Sequence, residues 1–174
     1  MSQTFNYLAA RHEVWCADFN ALAAWSSCHD ISCATGQPSP RKADGILSLN
    51  SAGVATFNVI GPLVKSALPS EKQMGICCYS DLCSALEEAV ATPGLKGICL
   101  YVDSPGGSFA GLPEAVDMVE AAAKSARTEA VVDGMAASAA NWLIAPCAKI
   151  TASKSAQVGS IGCILTHTSV ARAL

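Results

Sequence analysis

The serine in Met135-Ala-Ala-Ser138-Ala-Ala-Asn141 has the surroundings of a nucleophile. It follows a run that reads as a strand, Ala130-Val-Val132, and a turn at Asp133-Gly134. It opens a segment that reads as a helix with Trp142, Leu143 and Ile144, ended by Pro146. A hydroxyl at that point projects beside unpaired backbone N–H groups, where developing negative charge is favoured. Ala136, Ala137, Ala139 and Ala140 leave room for a peptide backbone to come close. On this segment alone, an ordinary N-cap serine is the favoured reading.

A second segment changes the balance. Ser104-Pro-Gly-Gly107 follows the apolar run Gly97-Ile-Cys-Leu-Tyr-Val102. Two glycines after a proline present an N–H unobstructed by side chains. Should that N–H and the one at Ala139 converge, they form an oxyanion hole for acyl transfer. A turn that merely needs positive φ is the plain reading of the glycines by themselves.

A serine hydroxyl is a weak nucleophile until a base takes its proton. Lys149, Lys154 and His167 follow Ser138 in the chain. The two lysines read as solvated surface charge. His167, just past a predicted strand, is a candidate base that would need an acid such as Asp103 or Asp133 to orient it. No motif selects either carboxylate. The nine cysteines include no C-x-x-C pair, and Cys28-His29 with Cys33 makes a poor half of a zinc site. They read as small buried apolar side chains, and neither a metal nor a cofactor is expected.

The elements that must position these groups follow from periodicity. Residues 5–27 read as a helical arm, with Leu8, Trp15, Phe19 and Leu22 on one stripe. The Gly- and Pro-containing stretch from Cys28 to Asp44 reads as a linker, which sets residues 1–44 apart from a main domain at 45–174. Ile46–Leu49 and Val54–Ile60 flank a turn cluster and form a hairpin. Residues 65–78 show no period and read as a surface loop. Ser80 caps a helix that carries Leu82, Leu86, Ala89 and Val90. Residues 97–102 read as a strand covered on both faces. Pro113 starts a helix with Val116, Val119, Ala122 and Ala123 on one side. Ile150–Ala152 and Val158–Leu165 complete the strands. Strands alternating with helices predict an α/β fold with a mostly parallel sheet and working groups at the carboxyl ends of strands.

Composition narrows the function classes. The chain has 174 residues, 51% of them hydrophobic and 14% charged, so it is not a disordered one. A net charge of −3 offers no basic face for a nucleic-acid backbone. No apolar run reaches the roughly 18 residues that span a bilayer. Arg11, His12, Glu13 and Asp18 break up any apolar stretch of a secretory signal, so the chain reads as cytoplasmic.

Three stretches, in this order, resemble the signal peptide peptidase A (protease IV) family and its phage relatives of the minor capsid protein C, head-maturation type. They are Tyr101-Val-Asp-Ser-Pro-Gly-Gly107, Met135-Ala-Ala-Ser-Ala-Ala140 and Ala152-Ser-Lys-Ser-Ala-Gln-Val-Gly-Ser-Ile-Gly162. The resemblance runs from about residue 46 to the end, roughly three quarters of the chain. It implies a Clp/crotonase-like spiral of ββα units and hydrolysis of peptide bonds by a serine with a lysine general base. Ser138 matches the nucleophile. Gly107 and Ala139 match the oxyanion-hole residues, and Ser160 matches a serine that helps hold the lysine. Family members assemble into rings, which implies a homo-oligomer.

The chain departs from the family pattern at the lysine, which in the family lies beyond the Gly-Ser-Ile-Gly segment. Thr166 to Leu174 contains none, Lys149 falls at an exposed family position, and Lys154 falls where many members have proline. This reads as a domain truncated before its base, or one whose base comes from another polypeptide. Leu165-Thr-His-Thr-Ser-Val-Ala-Arg172 resembles the phage branch and implies capsid or scaffold proteins as substrates, in the host cytoplasm or prohead. The competing readings are an inactive assembly domain, a Clp-like Ser/His peptidase, and an acyl-CoA enzyme sharing the oxyanion architecture.

Overall fold

In a computed structural model the described residues are 15–17 and 48–163. Val54–Ile60 (β3) shows why a strand forms: Ala55, Phe57 and Val59 alternate inward and are wholly buried. An Asn50–Gly53 turn joins β3 to Ser48–Leu49 (β2), which pairs antiparallel with it as the hairpin predicts. The turn is held by the Asn50 side-chain oxygen, which accepts from the N–H groups of Ala52 and Val54.

β3 is the first of three long parallel strands. Gly97–Ser104 (β6) lies beside it, and Arg127–Ala137 (β8) lies beside β6. Lys149–Ala152 (β9) pairs with the first half of β8, and Gln157–Gly159 (β10) with its last three residues, both parallel. The order of this sheet is β10-β8-β6-β3-β2. Along β6 burial alternates, so one face is sealed and the other half-covered, rather than both being sealed as expected.

A second, small sheet has the order β1-β7-β4-β5, with β1 Trp15–Ala17, β4 Leu63–Val64, β5 Cys77–Cys78 and β7 Gly106–Ser108. Thus β3 runs into β4 and β6 into β7, each long strand turning a corner into the small sheet. Among the described residues the helices are α1 (Pro69–Gln73), α2 (Tyr79–Ala91), α3 (Leu112–Ser125) and α4 (Ala139–Ile144). α2 buries Leu82, Leu86 and Ala89, and α3 buries Leu112, Ala115, Val119 and Ala122, both at the helical spacing of 3 and 4. These faces meet each other and the large sheet in one core with Phe57, Leu100 and Leu143. The result is α/β with mostly parallel pairing.

Several expectations are corrected. The helical arm fails at Trp15–Ala17, which are strand, because a β7 edge offers main-chain partners that outweigh a helical stripe. The rest of residues 5–27, the linker and Ile46 lie outside the described residues. The supposed loop at 65–78 contains α1 and β5, and Cys77 and Cys78 are buried. α2 starts at Tyr79 with Cys78 at its N-cap, so Ser80 lies inside it, and Val90 is exposed. Asp133-Gly134 is no turn, since β8 runs through it. β10 ends at Gly159, where Ser160 takes a positive φ, so the strand expected over 158–165 does not continue through Cys163; Ile164 and Leu165 lie outside the described residues.

Candidate active site

The site is built at the carboxyl ends of β6 and β8. Between Val102↔Val132 and Ser104↔Ala136, β6 advances by two residues and β8 by four, so β8 carries an irregularity around Gly134. Gly134 has φ 121°, and a Cβ there would stand 2.5 Å from Asp103 Oδ1. The glycine therefore makes space for the Asp103 carboxylate, and the slip sets how Ala136 and Ala137 are aimed. Asp133 accepts a hydrogen bond from the Tyr101 hydroxyl at 2.5 Å.

Ser138 closes β8 and opens α4. Its φ of 50° and ψ of −110° lie outside the conformations a serine prefers. Its N–H donates to the Gly159 carbonyl at 2.7 Å, and its carbonyl accepts from Trp142 N–H at 3.0 Å. The side chain makes no capping bond, so the ordinary N-cap reading fails. The hydroxyl instead donates to the Gly162 carbonyl at 3.0 Å. Ser138 is buried yet lines a cleft of about 400 Å³ with Asn141, Trp142, Ala145, Ile161, Gly162 and Cys163. Trp142 and Phe109 stand at the surface with ring centroids 6.1 Å apart.

The corner between β6 and β7 is braced by a residue to which no role was assigned from sequence. Ser104 is wholly buried, its hydroxyl donates to Gly61 O at 2.7 Å, and it accepts from Gly106 N–H at 3.2 Å. Tyr79 holds the other end of β7 by donating to Ser108 O at 3.0 Å. A polar residue closing an apolar strand was the one available signal for Ser104. For Tyr79, 29 residues from its partner, there was none.

Gly107 sits in the middle of β7, buried, opposite Leu63 of β4. A Cβ there would lie 1.9 Å from Leu63 O, so close strand approach, not positive φ, demands the glycine. It is not among the cleft-lining residues. α4 does pack against β7, which brings the helix headed by Ser138 alongside the strand of Gly107. Ala139, wholly buried, is the first residue of α4. Ser160 follows the Gly159↔Ala137 pair directly, next to Ser138 in register, and also has a positive φ, 52°. It is exposed.

Other reactive groups sit differently. Lys149 is exposed and lies opposite Glu129, eight residues before Ala137 along β8, roughly 25 Å away at strand rise. Lys154 is exposed in the turn after β9. His167 lies outside the described residues. Burial pushes the Cys77 thiol up to about 12 and the Cys147 thiol up to about 11. Burial also raises Cys78, Cys83 and Cys99, so these thiols stay protonated and poorly nucleophilic at neutral pH. Among the described residues no three His, Cys, Asp or Glu side chains gather as metal ligands would. No described helix is long and apolar enough to cross a membrane.

Comparison with known proteins bears on this geometry. The Clp protease family profile matches residues 72–158, which include Gly107 and Ser138. Head-tail preconnector protein GP5 of Enterobacteria phage P21 is 30% identical over 119 residues, 68% of this chain and 24% of that protein. Capsid assembly protease C of Escherichia phage lambda is 26% identical over 155 residues, 89% of this chain and 35% of that protein. Protease 4 of Salmonella typhi is 42% identical over 81 residues, 45% of this chain and 13% of that protein. The chain thus spans well under half the length of each relative.

Proposed function

The chain belongs to the Clp protease family, and from that premise we propose that it hydrolyses peptide bonds with Ser138 as nucleophile. The observation that carries this reading is the state of Ser138: strained, buried, not capping its helix, and open to a cleft. Strain of this kind costs about 1–3 kcal/mol and persists where surrounding structure imposes it, often at functional sites.

In the proposed reaction the hydroxyl proton leaves its bond to Gly162 O for a general base. Oγ attacks the scissile carbonyl, and the oxyanion is met by the N–H groups of Gly107 and Ala139. Collapse breaks the C–N bond, the amine leaves with the proton from the base, and water releases the acyl group. Ser160, next to Ser138 in register, would help hold the base. Lys149 is too far along the sheet to serve. Lys154 is exposed in the turn after β9, and in this reading a Ser/Lys dyad takes its lysine from another polypeptide. His167 is the alternative base within the chain.

One phage relative is named a capsid assembly protease and another a head-tail preconnector protein, which supports capsid or scaffold proteins as substrates, in the host cytoplasm or prohead; a homo-oligomeric enzyme is part of the same proposal. The test is hydrolysis of quenched fluorescent peptides by the full chain and its variants. Ser138→Ala should lower kcat by about 10⁴-fold or more. Wild-type turnover equal to that of Ser138→Ala would sink the reading and favour a non-enzymatic assembly domain. Full activity in His167→Ala would exclude the Ser/His form.

A further inference from the structure

Residues 15–17 lie far from the site in sequence and yet form the outermost strand of the small sheet. The pairing is antiparallel, with Trp15 opposite Ser108, Cys16 opposite Gly107 and Ala17 opposite Gly106. The other side of β7 belongs to the framework: β4 pairs there in parallel, with Leu63 wholly buried. So one edge of the Gly107 strand is fixed by the core, and the opposite edge is taken by a short N-terminal segment. α4, headed by Ser138, packs on the same β7.

A sheet edge of this kind binds extended peptides through main-chain hydrogen bonds, largely whatever their sequence. Gly106 and Gly107 bring no side chains to fence it. We propose that Trp15–Ala17 is a built-in competitor at the β7 edge, held where an extended peptide substrate would lie antiparallel to Gly106–Ser108. The proposal rests on the reading of Ser138 as nucleophile and adds what holds the site when no substrate does. A three-residue strand contributes few contacts, so it is displaceable. Being tethered, it still acts at an effective concentration on the order of millimolar, which a free peptide must overcome. The N-terminal segment then sets the threshold above which the site accepts substrate.

The test uses the full chain carrying Ser138→Ala, so that binding is read without chemistry. The probe is a fluorescein-labelled peptide with the sequence of residues 11–20, followed by anisotropy. Adding Cys16→Pro, which breaks the ladder at the middle of β1, should tighten binding at least about tenfold. Deleting residues 1–20 should do the same and guards against a local effect of proline. Unchanged affinity in both variants, each melting as the parent does, overturns the proposal. With Ser138 intact, the same changes should lower KM for peptide hydrolysis about tenfold and leave kcat alone. Tighter binding without any hydrolysis would overturn the peptidase reading and uphold the competing strand. Hydrolysis with neither affinity nor KM altered would do the reverse.

Discussion

At Ser138 two demands meet that a serine does not satisfy for free. The backbone must reverse from β8 into α4 within one residue, and the side chain must stay clear of the helix it heads. A φ of 50° with ψ of −110° does both. Glycine reaches that conformation without a Cβ penalty. Ser138→Ala and Ser138→Gly lose the same hydroxyl, so their difference isolates the strain. Ser138→Gly should be the more stable by about 1 kcal/mol in urea titrations. An alanine variant of equal or greater stability would show that the turn is unstrained. Sequence alone pointed to this serine through its alanine neighbours and the strand before it. Its conformation was not legible, because it depends on Gly159 and Gly162, which close over it from more than twenty residues away. Ser104 and Tyr79 were missed for the same reason: their partners are remote.

β8 is the element that aims the site. Its first half pairs with β9 and its end with β10, and between them lies the slip at Gly134. Gly134→Ala should cost about 2–3 kcal/mol, from a φ of 121° and a contact with the Asp103 carboxylate. In a double-mutant cycle Asp103→Ala should recover about 1 kcal/mol of that loss. Strictly additive unfolding energies would show that the two side chains do not compete for that space. Long elements with clear periods were readable: the β3 alternation, the apolar faces of α2 and α3, the Gly97–Val102 run. Two- and three-residue strands were not, since β1, β4 and β5 are too short to show a period. Each exists because β7 or another short strand supplies partners that no local window contains. Asp133-Gly134 has turn chemistry, yet the pairing of β8 on both sides overrides it.

Over the whole molecule the arrangement explains why so small a sheet matters. The large sheet supplies a frame with a sealed core, and the two strand corners lead from it into the small sheet. β7, braced by Ser104 and Tyr79, meets α4 where the frame stops. The parallel architecture was legible from the order of strands and helices, and in it Ser138 stands just past the end of β8. The small sheet and the part played in it by Trp15–Ala17 were not, because long-range pairing decides them. Beyond the core, Trp142, Ile150, Val158 and Ile161 are exposed. In the proposed reaction one hydroxyl in this assembly, that of Ser138, is chemically unlike the others. This is tested most directly by reacting the full chain with a fluorophosphonate and locating the adduct by tandem mass spectrometry. A single phosphonylated residue, Ser138, is expected, with no labelling of the denatured protein. An unmodified Ser138, or an adduct on any other serine, would contradict it.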